Sequence, residues 1–473
     1  MTTTCNEALP PAVRWAIASL SLSMLLSALG TSIANVGLPA LALAFGASFG
    51  QVQWVVLAYL LAITSLIVSA GRLGDLAGRR RLLLAGLALF TLACALCGAA
   101  PTLAWLIAAR ALQGVGAAVM MALTMAFVGE AVPKARTGSA MGLLGTMSAV
   151  GTALGPSLGG VLIEAMGWRA LFLVNVPLGV AAFVLALRCL PRDHPRTSAA
   201  RPGFDHAGTV TLALSLAAFA LAMTAGHGHA GWLKLALLSA ALAGAGLFVF
   251  VESRAASPLV RLAMFGDPVL GASLAMGTLV STMMMATLVV GPFYLSGALR
   301  LDAAMVGLVL SAGPLVAALA GVPAGRAVDR FGAQRMRIAA LAVMTAGAGT
   351  LVLLPARLGI PGYAVPLAVL TAGYALFHAA NNTVVMANVQ AGQRGVVSGL
   401  LNLSRNLGLI AGASLMGSVF AFGATTGGVM AATPDAVAAG MRLTFAVAAG
   451  LIIGALAIVP FSQALSRRAR AGC

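Results

Sequence analysis

Charge is what this sequence has least of. Only 8% of its 473 residues are Asp, Glu, Lys or Arg, where a water-soluble domain carries about a quarter. With 60% hydrophobic residues and a mean hydropathy of +1.01, a soluble globule is excluded and an integral membrane protein is implied. Acid is scarcest, at 11 Asp and Glu against 28 Lys and Arg. The five cysteines, Cys5, Cys94, Cys97, Cys189 and Cys473, give no disulfide framework. Cys94 and Cys97 form a C-x-x-C inside an apolar run, where they read as buried thiols rather than a redox pair. Neither G-x-x-x-x-G-K-[ST] nor H-E-x-x-H occurs, so ATP as direct energy source and zinc-protease chemistry both drop out. No cofactor, metal site or catalytic residue is expected.

What is present is apolar helix. The 56 glycines and the lack of sustained alternation favour close-packed helices over a β-barrel. An unpaired charge at mid-bilayer is costly, so charge-free runs delimit spans at about 20 residues each. They fall at 15–43, 51–70, 82–99, 103–128, 138–162, 170–188, 207–226, 233–251, 269–296, 303–324, 338–355, 363–388, 395–421 and 441–462, an all-α reading with fourteen transmembrane helices. Of the 28 Lys and Arg, five would lie outside (Arg169, Lys234, Arg300, Arg357, Arg442) and two within spans (Arg110, Arg405). The other 21 fall in inner loops and tails if both termini are cytoplasmic. The net charge of +17 therefore reads as topology in a plasma (inner) membrane and not as a nucleic-acid surface. The N-terminus has no cleavable signal pattern, and the longest inner loop, 189–206, has no room for a soluble domain.

An internal repeat gives the architecture. Gly71-Arg72-Leu73-Gly74-Asp75-Leu76-Ala77-Gly78-Arg79-Arg80-Arg81 follows span 2, and Gly325-Arg326-Ala327-Val328-Asp329-Arg330-Phe331-Gly332-Ala333-Gln334-Arg335 follows span 10. Both read G-R-x-x-D-x-x-G-x-x-R. A duplicated six-span unit would place the second copy after span 8, so two extra helices separate the halves. This predicts a 6 + 2 + 6 plan, with six-helix bundles at 1–188 and 269–473 and a two-helix linker at 189–268. Parallel duplication is the plan of transporters that rock two halves about a midplane site. Gly71, Asp75, Gly78, Arg79, Arg80, Asp329 and Gly332 are then candidates for a latch at the inner face, against a plain solvated turn.

Three further segments carry a resemblance. Span 4 contains Arg110-Ala111-Leu112-Gln113-Gly114-Val115-Gly116. Span 5 contains Gly151-Thr152-Ala153-Leu154-Gly155-Pro156-Ser157-Leu158-Gly159-Gly160, which fills G-x-x-x-G-P-x-x-G-G. Span 1 contains Leu29-Gly30-Thr31-Ser32-Ile33-Ala34-Asn35-Val36-Gly37-Leu38-Pro39. With the loop at 71–81, these resemble the major facilitator superfamily, in particular its fourteen-span drug:proton antiporters. The resemblance implies proton coupling through Arg110 and an antiporter hinge at Gly151, Gly155, Pro156, Gly159 and Gly160. The glycine spacing independently makes one flat helix face, and Pro156 permits a bend. Gly155 to Gly159 also matches G-x-S-x-G, but a serine hydrolase needs that motif on a strand-to-helix turn, so an enzyme is not expected.

Span 1 departs from the pattern, because Gly30 stands where the family usually has an acid, and no other carboxylate lies at mid-bilayer. Cation exchange at a buried acid thereby loses its basis, which shifts the expected cargo toward neutral or anionic amphipaths attracted by Arg110 and Arg405. The proton carrier becomes His378, with Arg110 and Gln113, ahead of Asp75, Glu130 and Asp329. In the superfamily fold the first and fourth helices of each half line the cavity, which implies Asn35, Phe293, Tyr294, Tyr374, Asn381 and Asn382 beside Arg110, Gln113 and His378. The expected activity is proton-coupled export of amphipathic small molecules, with import or facilitated passage of a metabolite as the alternative. The expected partners are cargo, protons and lipid, with a periplasmic adaptor protein as a further possibility.

Overall fold

The structure, a computed structural model, describes residues 11–131, 137–191, 205–224, 231–255, 258, 267–353, 355–386, 394–424 and 433–471. Cys5, Cys473, most of the loop 189–206, and the side chains of Asp75, Glu130 and Asn402 lie outside that description. The described elements are all helical. In chain order they are α1 (Pro11–Val36), α2 (Leu38–Phe45), α3 (Phe49–Ala77), α4 (Arg79–Gly98), α5 (Leu103–Ala131), α6 (Thr137–Met166), α7 (Ala170–Leu173) and α8 (Asn175–Cys189). After them come α9 (His206–Thr224), α10 (Gly231–Arg254), α11 (Pro268–Gly297), α12 (Ala303–Phe331), α13 (Ala333–Leu353), α14 (Pro355–Met386), α15 (Arg394–Gly423) and α16 (Pro434–Ala471).

The few polar residues at helix starts act as caps. Ser48 and Gln51 form a reciprocal capping box on α3, with Ser48 N–H donating to Gln51 Oε1 at 2.8 Å. Asp267 and Asp302 accept from Val269 N–H at 2.9 Å and Met305 N–H at 2.7 Å, which spends two of the eleven acids on helix ends.

Among the described residues, twelve helices are long and apolar enough to cross a membrane, so the expected count of fourteen is not supported. Two further apolar stretches, Val150–Met166 of α6 and Ala207–Met223 of α9, adjoin residues whose side chains lie outside the description.

Helices α1, α3, α4, α5, α6 and α8 pack on one another, as do α11 to α16, while α9 packs beside α3 and α15 and α10 pairs with α9. The repeated loops are geometric copies. Gly78 and Gly332 each break the chain between two helices at φ +96° and +88°, a conformation that favours glycine. Each donates its N–H four residues back, Gly78 to Gly74 O at 3.1 Å and Gly332 to Val328 O at 2.9 Å. Each also accepts from four residues on, Leu82 N–H and Met336 N–H, both at 3.1 Å.

Glycines set the close joints between helices. A Cβ on Gly151 would meet Leu25 O at 2.5 Å, on Gly155 the Ser32 side chain, and on Gly159 Val36 Cγ1 at 2.6 Å, so this face of α6 lies directly on α1. The joint recurs between α15 and α11, where Gly408 and Gly412 face Thr278 O and Thr282 O. Hydroxyls bridge both joints: Ser32 Oγ donates to Gly151 O at 3.2 Å and Thr282 Oγ1 to Gly408 O at 3.1 Å.

The halves meet at the end remote from both chain termini, hereafter the far end. There Phe49, Phe293 and Phe420 pack together, with ring centroids 4.7 to 6.3 Å apart. Gln53 Nε2 of α3 donates to Ala413 O of α15 at 3.0 Å. Pro156 and Gly160, on the other face of α6, press on Gly307 and Ala303 of α12.

Candidate functional site

Behind that seal lies a cavity of about 1280 Å³, counting the space that opens to solvent. Eight helices line it, four from each group: α1, α3, α5 and α6, and α11, α12, α14 and α15. Its wall is mostly apolar, with Met24, Leu60, Ile63, Met121, Leu310 and Leu367 among its residues. That is the composition of pockets that hold small organic molecules. The hydroxyls on the wall are largely committed to their own helices. Ser27, Thr31, Thr152, Thr287 and Thr371 donate to backbone carbonyls three or four residues back, at 2.7 to 3.1 Å. Arg405 lines the cavity with Asn406 beside it, and among the described residues no Asp or Glu does.

Of the nine side chains expected to line the cavity, the structure sets Tyr374 on the wall. His378 is one turn away, half-buried, its ring 4.4 Å edge-on to Tyr374 and its Nε2 without a partner among the described residues. The others face elsewhere. Phe293 belongs to the far-end seal, and Tyr294 is buried and stacks on Tyr363. Asn35 donates to Thr31 O at 3.0 Å within α1, and Asn382 is exposed. Asn381 is buried near the terminus end, donating to Ser273 O at 3.3 Å.

Arg110 is fully buried inside the first helix group rather than in the cavity. Its Nε donates to Val55 O at 2.8 Å, and its Nη1 donates to Gly30 O at 3.0 Å and to Gln113 Oε1; the guanidinium carbon lies 4.2 Å from the Tyr59 ring centroid. Gln113 passes the contact on by donating to Cys94 Sγ at 3.0 Å, and Cys94 and Cys97 are both free, buried thiols. The backbone oxygen of Gly30 thus does part of what an acid at that position could do, since it accepts from the arginine.

Two intramembrane arginines were expected, Arg110 and Arg405; among the described residues the buried pair is Arg110 and Arg337. Arg337, placed by sequence in an inner loop, lies in the first turns of α13, and its guanidinium donates to Gln334 Oε1 at 2.8 Å and Ser273 Oγ at 3.2 Å. Its signal was slight, a single arginine at the edge of an apolar run. Arg405, in contrast, is exposed to the cavity.

In the repeated loops, Gly71 has open space around it, Asp329 and Gly332 are exposed, and Arg80 donates to Leu187 O. Arg79 starts α4 directly after Gly78. The Asp75 side chain lies outside the description, so one member of the latch constellation has no placement.

The fold is that of known transporters. A bacterial homologue of the human lysosomal transporter Spinster, solved in an inward-facing and occupied conformation, superimposes with a TM-score of 0.70 over 96% of this chain and 98% of that one, at 15% identity. In sequence, the chain is 30% identical over 402 residues to the riboflavin transporter RibZ of Clostridioides difficile, covering 85% of this chain and 87% of that protein. It is 32% identical over 393 residues to the multidrug resistance protein Stp of Mycobacterium tuberculosis, covering 82% and 72%. Residues 20–413 match the family described as Major Facilitator Superfamily. A membrane-embedded helical duplication with a mostly apolar chamber between its halves, matched over most of its length, belongs to the Major Facilitator Superfamily of transporters and is not an enzyme.

Proposed function

We propose that this chain is a secondary active exporter of amphipathic small molecules such as drugs, antiseptics, antibiotics or related toxic metabolites, driven by protons through alternating access. The observation that carries the reading is the cavity: mostly apolar, lined by four helices of each half, and closed at the far end by the Phe49–Phe293–Phe420 contact. Such a chamber holds varied apolar bodies and can be offered to either side by tilting one half against the other. Export is supported by the complete span-5 motif in α6 and by relatives named for multidrug resistance. Membership of the fourteen-span antiporter family, with α9 and α10 (189–268) between units at 1–188 and 269–473, is part of the same reading, supported by the helix order. With the termini in the cytoplasm of a plasma (inner) membrane, the sealed far end is the outer face and the state is inward-facing. A periplasmic adaptor is not part of this proposal.

Coupling is assigned to Arg110, Gln113 and His378, the latch to Gly71, Asp75, Gly78, Arg79, Arg80, Asp329 and Gly332, and the hinge to α6. Expression in an efflux-deficient host is expected to lower accumulation of amphipathic dyes, and a protonophore is expected to abolish the difference. Raised accumulation would favour the second reading, uptake of a metabolite, which the riboflavin transporter among the relatives keeps in view.

A further inference from the structure

Among the described residues the cavity wall holds one fixed charge, and it is positive. Of the two arginines that could attract cargo, Arg110 is enclosed by Val55 O, Gly30 O, Gln113 and Tyr59 and does not reach the cavity. Arg405 does reach it, exposed on the wall of α15, and among the described residues its guanidinium makes no hydrogen bond or ion pair. The surrounding groups do not offset it. Six wall hydroxyls, Ser32 among them, have given their protons to backbone carbonyls, so the side chains left to donate into the cavity are Arg405, the adjacent Asn406, Tyr374 and the neutral hydroxyl of Ser148.

A guanidinium facing a largely apolar chamber is costly while unpaired, and a ligand carboxylate, sulfonate or phosphate relieves that cost with paired, charge-assisted bonds. A cation meets the reverse: a fixed like charge, no carboxylate among the described residues, and only neutral hydroxyl and amide oxygens. We infer that the cavity of this protein is an organic-anion site, in which Arg405, assisted by Asn406, holds the anionic group while the apolar wall holds the body of the molecule. The inference rests on the exporter reading only for the direction of movement; the site itself does not depend on it.

Two xanthene dyes of similar body and opposite charge, fluorescein and rhodamine 6G, provide the test. Titrated by anisotropy against the purified full-length chain in lipid nanodiscs, fluorescein is expected to bind about tenfold or more tightly than rhodamine 6G. Arg405→Gln should remove the preference, and Arg405→Lys, which keeps the charge and loses the fork, should keep part of it. Absent fluorescein binding, equal or tighter binding of rhodamine 6G, or a preference that survives Arg405→Gln would overturn the inference. So would loss of the preference in both variants while their elution and melting match the parent chain, because charge would then not be the cause. Direction is read separately in everted vesicles. Inward transport of fluorescein in whole cells with the binding preference intact would sink the exporter reading and leave the anion site standing. Outward transport of rhodamine 6G alone would do the opposite.

Discussion

Arg110 donates to two backbone carbonyls, Val55 O and Gly30 O, that belong to different helices, so it ties α1, α3 and α5 at one point. Its Nη2 has no partner among the described residues, which leaves one strong donor available inside the bundle. Arg110→Ala is expected to lower transport by about tenfold or more at equal membrane levels, measured as dye efflux per unit of protein. Unchanged efflux would remove this residue from coupling. Gly30 permits a second prediction. A Cβ there would sit 3.3 Å from Tyr59 Oη and from Phe90 Cζ, on the side of Arg110 and away from the cavity. Gly30→Asp is therefore expected to pair with the arginine and to confer no export of a permanent dication such as propidium; a gain in propidium efflux would show that the acid reaches the cargo. The importance of Arg110 and Gln113 could be read from their spacing, one turn apart in an otherwise uncharged run. Phe293 and Tyr294 could not be placed that way, because an apolar helix with little facial contrast gives its rotation only when its neighbours are known.

At the scale of the helix, α6 has two working faces. Gly151, Gly155 and Gly159 bring α1 into backbone contact, while Pro156 and Gly160 meet α12 across the halves. Gly155→Ala would drive a Cβ into the Ser32 side chain and is expected to loosen the α1–α6 joint, lowering both thermal stability and transport. Gly160→Ala acts on the other face, where its Cβ would run into Ala303 O. A backbone atom cannot rotate aside, so the far end is expected to open. Spin labels at the exposed Met166 and Arg300 should report a longer distance in Gly160→Ala than in the parent chain, and an unchanged distance would mean that α12 absorbs the methyl without separation. The glycine spacing on α6 was legible as a flat face, yet the neighbour it touches was not. The matching joint at Gly408 and Gly412 escaped notice because no proline marks it.

At the scale of the whole molecule, the duplication was the most legible feature, since G-R-x-x-D-x-x-G-x-x-R recurs at fixed spacing and its closing glycines, Gly78 and Gly332, adopt the same left-handed geometry. The number of crossings was less so. A charge-free run marks apolar sequence, whereas crossing also needs helical length, and twelve helices meet both conditions among the described residues. The cavity's membership extends to α3, α6, α12 and α15, which depends on how the halves are tilted and so on the state captured. Alternating access also predicts that a cleavable thiol linker between cysteines placed at Phe49 and Phe420, in a chain otherwise free of thiols, stops efflux, and that cutting the linker restores it. The same closure has an electrical consequence. Three phenyl rings carry no charge, so parting them displaces none across the membrane field and the membrane voltage gives that step no bias. Any voltage sensitivity of turnover is expected to come from the ions and the cargo that the chamber carries.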